Sequence, residues 1–186
     1  MRQALLAVLG ILAASPVAGQ TVMRPAPPLD SARATLRDAV IVLRDSLATI
    51  DGAAARLQRD YQAASGQALL SRARVMRDAC ARSVKTVPPT RSVVMATQVS
   101  GDQKLERRRD LVTAMDSLRH VLVRCETEFT SMSQPGQGEQ VRGYGNEKAA
   151  GVQTELRRYD RALAGYLQAM GIRIPPAGVA PSASPG

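Results

Sequence analysis

The sequence is poor in aromatic residues, with no Trp, one Phe and four Tyr among 186 residues. Packed β-sheets rely on aromatic and β-branched side chains, so this composition argues against a β-sandwich. Two cysteines cannot form the framework of a small disulfide-rich protein, and their spacing is not that of zinc ligands. The chain carries a formal net charge of +9 and has 22% charged and 45% hydrophobic residues. These values exclude a polytopic membrane protein and a chain that is disordered throughout.

Residues 1–19 have the layout of a secretory signal peptide. Arg2 precedes an unbroken apolar run over residues 4–14, and small residues follow at positions 17–19. The run is too short to span a bilayer, which takes about 20 apolar residues. We expect cleavage after Gly19, with Ala18 as the competing site. The processed chain would then lie in the periplasm or outside the cell, without a transmembrane span.

A helical domain is predicted over residues 29–174. It lies between a Pro-rich linker at 20–28 and a Pro/Ala/Ser/Gly tail at 175–186 that we expect to be disordered. Apolar residues in the domain recur at steps of three and four, which places them in one stripe on each helix. The stripes are Leu36, Val40, Leu43, Leu47, Ile50, Ala54, Leu57, Tyr61, Ala64 and Ala68 in segment A; Leu69, Ala73, Met76, Cys80, Val84 and Val87 in segment B; Leu111, Met115, Leu118, Leu122, Cys125, Phe129 and Met132 in segment C; and Ala149, Val152, Leu156, Tyr159, Leu163, Tyr166 and Met170 in segment D. Such stripes must be buried against one another, so the sequence predicts an all-α antiparallel helical bundle of three to four long helices.

The boundaries of segments A and B are less well defined. The stripe slips by one residue near Gly66, and residues 29–86 form either one helix or two. We favour a single long or kinked helix, because no cluster of loop-forming residues surrounds Gly66. The Pro88-Pro89 pair is expected to end segment B, since proline removes an amide donor and disturbs the helical turn before it. Residues 88–99 are then predicted to be a connector.

Segments C and D have clearer limits. Segment C is expected to begin at Ser100, and the glycine-rich residues 133–146 are predicted to form a loop. Gly171 is a suitable C-cap for segment D, with Ile172 closing back onto Leu167.

The two cysteines, Cys80 and Cys125, both lie on predicted stripes. Export would allow a disulfide between them, and two buried small hydrophobic residues are the alternative. If segment B ends before Pro88, a plain hairpin places Cys80 opposite Arg107, roughly 27 Å of helix away from Cys125. A disulfide needs Cα atoms within about 7 Å. The pairing therefore requires a crossover or a shifted register, and both interpretations stay open.

Positive charge is concentrated in segment B. Residues 66–91 carry six cationic side chains against one acid, Asp78. Five of the six form what we call the basic band: Arg72, Arg74, Arg77, Arg82 and Lys85. The band suits an anionic partner of the cell envelope, namely lipid head groups, acidic polysaccharide or an acidic protein. A solvated surface is the alternative interpretation. Nucleic acid is not an expected partner, because no aromatic side chain interleaves with the band to stack on bases.

Catalytic and cofactor patterns are weak. Ser117 and His120 can touch on a helix, but no orienting acid or oxyanion donor is marked, so we predict no catalytic residue. One His without a carboxylate cluster is a poor metal site, and no cofactor is expected.

These observations favour an exported, non-enzymatic interaction or chaperone-like envelope protein. In composition alone the chain resembles periplasmic chaperones of the coiled-coil kind, and no motif allows residues to be transferred. A small-ligand or haem-binding bundle is the alternative function, with His120 as a haem ligand. Long stripes in a small chain also allow a homodimer.

Overall fold

The computed structural model describes residues 29–59 and 61–175, and all regular structure within them is helical. The four long helices are α1 (Leu29–Arg59), α2 (Gly66–Ala96), α3 (Asp102–Met132) and α4 (Asn146–Met170). A helical turn at Gly138–Gln140 and a π-helix at Val141–Gly145 lead directly into α4. The predicted signal peptide and Pro-rich linker lie outside the described residues, as does the predicted tail beyond Pro175.

The helices pack as an antiparallel bundle, in which α2 contacts α1 and α3, and α4 contacts α3 and α1. This confirms the predicted fold class. The four predicted stripes form the core: their members are buried, except that Tyr61, Ala64, Ala68 and Val84 are partly buried. Removing this apolar surface from water, at about 25 cal/mol per Å², is the main force that holds the bundle together. No helix in the described part of the chain combines the length and the apolar character needed to cross a membrane.

The prediction of one long helix through Gly66 is wrong, because the chain reverses between α1 and α2. Ser65 is the N-cap of α2, and its hydroxyl accepts a hydrogen bond from the amide of Ala68 at 3.2 Å. This bond satisfies one of the free amides at the start of a helix. Gly66 is therefore the first residue of a new helix.

The turn before α2 is held by a side chain from far along the sequence. Arg142, in the π-helix, donates to the carbonyl oxygens of Tyr61 at 2.9 Å, Gln62 at 2.6 Å and Ala64 at 2.8 Å. One guanidinium thus satisfies three backbone acceptors of the turn. Because the stabilising group lies about 80 residues downstream, no local pattern around Gly66 reveals the reversal.

The predicted loop at 133–146 is shorter than expected, since the helical turn at Gly138–Gln140 and the π-helix occupy most of it. Gly138 packs directly on the start of α2. A Cβ atom placed on Gly138 would lie 2.8 Å from the Cα atom of Gly66. The glycine at this position lets two backbones approach each other, and glycine content alone therefore misled the loop prediction.

The prediction that Pro88-Pro89 ends the helix is also wrong, because α2 continues through both prolines to Ala96. Val87 and Val94, on either side of the pair, are fully buried in the core. Both prolines are exposed, so their rings lie on the solvent side of the helix, where two backbone amide donors are missing. Packing of the buried face of α2 thus outweighs the free-energy cost of placing two prolines on its exposed face.

This longer helix explains the disulfide between Cys80 and Cys125, whose Cα atoms are 6.1 Å apart. Because α2 ends at Ala96 and α3 begins at Asp102, a plain hairpin places Cys80 opposite Leu118, and a shift in register of about seven residues, roughly 10 Å of helix, brings it to Cys125. The same register pairs Arg91 with Asp116, with the Nε and Oδ1 atoms 2.7 Å apart. Of the two interpretations that the sequence left open, the structure shows the disulfide. Most of the distance between the two cysteines expected from the sequence came from placing the end of α2 too early, and the shifted register accounts for the rest.

Helix α4 ends as the sequence predicts. Gly171 adopts a left-handed conformation with φ of 66°, and the amide of Ile172 donates to the carbonyl of Leu167 at 3.0 Å. Glycine takes this conformation without the steric cost of a Cβ atom. Beyond this cap, Arg44 of α1 donates to the carbonyl of Pro175, which ties the end of the described chain to the first helix.

Candidate functional site

The five residues of the basic band do not share one environment. Arg74, Arg82 and Lys85 are exposed and form no ion pair within the described chain. Arg77 is partly buried and pairs with Asp78 at 2.7 Å. Arg72 is partly buried and lines a cleft on the side of α2 that faces α1. The band therefore divides into three exposed cations without a described ion pair, one cation paired with Asp78, and Arg72, which lines the cleft.

The cleft beside Arg72 has a volume of about 310 Å³ and lies between the last turns of α1 and the first turns of α2. We call this cleft the basic cleft. The described residues that line it are Ala53, Arg56, Arg59, Ser71, Arg72 and Val75. None of them is acidic. Besides Arg72, the exposed guanidinium groups of Arg56 and Arg59 and the Ser71 hydroxyl thus line a surface that includes Val75. Guanidinium groups bind carboxylate and phosphate through paired hydrogen bonds, so the basic cleft suits a small anionic group.

Sequence reasoning missed Arg56 and Arg59. Segment A contains as many acids as arginines, so counting charge by segment makes it neutral. Only the reversal at residues 61–65 places these two arginines beside Arg72. Their position in the last turn of α1 is also favourable locally, because the carbonyl end of a helix attracts cations.

A second cleft, of about 350 Å³, lies between α1 and α4. It is lined by Arg44, Leu47, Ala48, Asp51, Leu156 and Asp160. Burial, and to a smaller extent the charge of Asp51, raises the pKa of Asp160 above its usual 3.8. Gln153 donates to Asp51 at 2.9 Å and accepts from Gln58 at 3.0 Å. The α1–α4 interface is therefore partly polar, in contrast to the apolar core.

A third cleft, of about 450 Å³, lies at the reversal between α2 and α3. Arg108 lines it and donates to the carbonyl of Thr97 at 3.2 Å. This arginine binds a carbonyl group just beyond the end of α2, where helical carbonyls lack partners. Its role there is to fix the end of a helix.

His120 and Ser117 are the pair of residues considered above. His120 is exposed on α3, Ser117 is partly buried, and the structure shows no hydrogen bond between them. Neither residue lines the three clefts described here. Among the described residues there is also no group of three or more His, Cys, Asp or Glu side chains arranged to hold a metal ion.

Two tyrosines of α4 are buried in the core. Tyr159 and Tyr166 are 1% and 0% exposed, and their hydroxyl groups have no hydrogen-bond partner within the described chain. Burial raises the pKa of both phenols, so both stay neutral. They serve as large core side chains, as their heptad spacing predicts.

Comparison with known protein families, with curated proteins and with solved structures gives no match to this chain. The function of the candidate site therefore has to be inferred from the geometry of the site.

Proposed function

We propose that this protein is an exported, non-enzymatic binding protein whose α1–α2 side holds an anionic component of the cell envelope. The observation that carries the proposal is the exposure of Arg74, Arg82 and Lys85 without ion pairs, next to the basic cleft. Unpaired surface cations attract anions at distances up to about 10 Å at moderate ionic strength. The disulfide supports export, because such bonds persist in oxidising compartments.

The test is a charge reversal matched by a control of equal charge. In the test variant Arg74, Arg82 and Lys85 are changed to Glu. In the control, the exposed and equally unpaired residues Arg119, Arg124 and Arg161 are changed to Glu. Both variants lose six units of positive charge. We expect the wild type and the control to bind immobilised polyglutamate and isolated cell-envelope material at low salt, and the test variant to lose this binding.

Equal loss of binding in both variants would contradict the proposal, because it would show that the net charge of the protein alone accounts for the loss. Failure of the wild type to bind either probe would contradict it directly. Circular dichroism of each variant confirms that the helices are retained. Raising the salt concentration should weaken the wild-type interaction, since screening shortens the range of surface charges.

The oligomeric state stays a prediction. A homodimer would show a light-scattering mass of two chains at micromolar concentration, whereas a mass of one chain would contradict it.

A further inference from the structure

We infer that the basic cleft and the surface that continues from it form a docking face for a membrane that contains anionic phospholipid, with the cleft taking one phosphate head group. This inference deepens the function proposed above and rests on it, because it names the anionic component as a lipid. It depends on the joint placement of cations and exposed valines along the α1–α2 hairpin.

Two rows of exposed side chains flank the line where α1 meets α2. Residues seven apart lie on nearly the same face of a helix, and each row contains one residue that lines the cleft. The rows are Val42, Thr49 and Arg56 on α1, and Val75, Arg82 and Pro89 on α2. All six residues are exposed, with Val42 and Val75 exposed by 59% and 44%. Neither row contains an acidic residue.

Two of the three described acids beside the rows are already paired, and Asp38, four residues before Val42, is the exception. Asp45 lies 3.2 Å from Arg44, and Asp78 lies 2.7 Å from Arg77. These pairs leave the cations of the two rows, and Arg59, Arg74 and Lys85 next to them, without a described carboxylate partner. The face therefore combines excess positive charge with two exposed apolar side chains. Surfaces of this kind bind the head-group region of anionic membranes.

The shape of the basic cleft favours a head group over an acidic helix from a partner protein. A helix in a groove makes contacts every three or four residues over several turns. Among the residues that the structure describes, the cleft is lined by residues within 53–59 of α1 and 71–75 of α2, which is less than two turns of each. Farther along the hairpin, the hydroxyl groups of Ser46 and Ser83 lie 2.8 Å apart, so the helices are in contact there. The cleft is thus a local pocket.

The side chains of the pocket match a phosphodiester. Arg56 and Arg59 present guanidinium forks to the phosphate oxygens, and the Ser71 hydroxyl supplies a further donor. Val75, at the same cleft, would contact the less polar glycerol region above the acyl chains. A flat membrane would also meet Arg82 and Val42 along the two rows.

The absence of tryptophan from the chain allows a direct experiment. Val75→Trp places a single Trp at the basic cleft, and Val123→Trp places one at a comparably exposed position on α3, where Val123 is 41% exposed. Each protein is titrated with vesicles of equimolar phosphatidylglycerol and phosphatidylcholine, and with vesicles of phosphatidylcholine alone. We expect a blue shift of the fluorescence only for Val75→Trp with the anionic vesicles.

A second measurement tests the arginines. Each basic side chain near an anionic membrane contributes about 1 kcal/mol, so Arg56→Gln with Arg59→Gln should weaken vesicle binding roughly 30-fold. Arg119→Gln with Arg124→Gln, on the exposed face of α3, should leave it unchanged. Equal shifts for the two Trp positions, equal binding to neutral vesicles, or equal effects of the two arginine pairs would each overturn the inference.

The lipid inference and the proposed function can fail separately. Binding to polyglutamate that depends on Arg74, Arg82 and Lys85, without binding to anionic vesicles, would refute the lipid and leave an acidic protein as the partner. Binding to neither probe would refute both.

Discussion

Reduction of the disulfide should destabilise the bundle strongly. The bond between Cys80 and Cys125 closes a span of 45 residues that contains the end of α2, the reversal and most of α3. In the unfolded chain, a link of this length removes conformational entropy worth about 4 kcal/mol at room temperature. Typical stabilities of single domains are only about 5–15 kcal/mol. The bond therefore accounts for a large share of the stability.

The measurement is urea unfolding followed by circular dichroism, with and without reductant. Because Cys80 and Cys125 are 0% and 2% exposed, the folded protein should resist reductants, and reduction must be done in denaturant before refolding. We expect the reduced protein to have a free energy of unfolding lower by about 4 kcal/mol. The matched control is the variant with Cys80→Ala and Cys125→Ala, which should be less stable than the oxidised protein and unaffected by reductant.

Two results would refute this reasoning. A nonreducing mass measurement that finds two free thiols in the native protein would remove the bond itself. A difference of less than about 1 kcal/mol between the oxidised and reduced proteins would show that the entropy argument does not apply, as when the unfolded chain retains structure.

Three further predictions test the packing and the charges. Gly138→Ala should lower the free energy of unfolding by about 1–3 kcal/mol, because the new methyl group would lie 2.8 Å from a backbone atom. Gly151→Ala, where the new methyl group would meet no side chain and no backbone of another element within 4 Å, should instead raise it by about 1 kcal/mol. Pro88→Ala with Pro89→Ala should raise it by roughly 2 kcal/mol or more, as two helical hydrogen bonds form, and an unchanged urea midpoint would contradict this. Asp160→Asn should stabilise the protein at pH 7 but not at about pH 3: the raised pKa means that the folded state favours the protonated acid, so stability is lost as the pH rises through the usual value toward the folded one. An Asp160→Asn effect that is independent of pH would contradict the raised pKa.

The sequence predicted the helices and their buried faces well, because the stripes depend on a short repeat that can be seen within each segment. The stripe residues of segment C, from Leu111 to Met132, and those of segment D, from Ala149 to Met170, are buried as predicted. Helix ends were harder, since they depend on contacts between distant segments. Pro88-Pro89 lies inside a helix because the core continues beneath it, and the reversal before Gly66 depends on Arg142.

For the same reason, only part of the candidate site could be predicted from the sequence. The excess of charge in segment B can be read along the sequence, and it identified Arg72 as part of the band. The contribution of Arg56 and Arg59 requires the antiparallel contact between α1 and α2, which a segment-by-segment count of charge does not contain. The sequence alone could not decide whether the two cysteines pair, because the register of a helical hairpin depends on where the chain turns.

The covalent bond between α2 and α3 has a further consequence for the integrity of the molecule. It joins the first pair of helices to the second, and the loop between them at residues 97–101 is otherwise the sole link along the backbone. A protease that cuts this loop at its exposed residues Gln98, Ser100 or Gly101 would produce two fragments that still migrate together until a thiol reagent separates them. Such damage could leave the assembled core, and whatever it holds, in place.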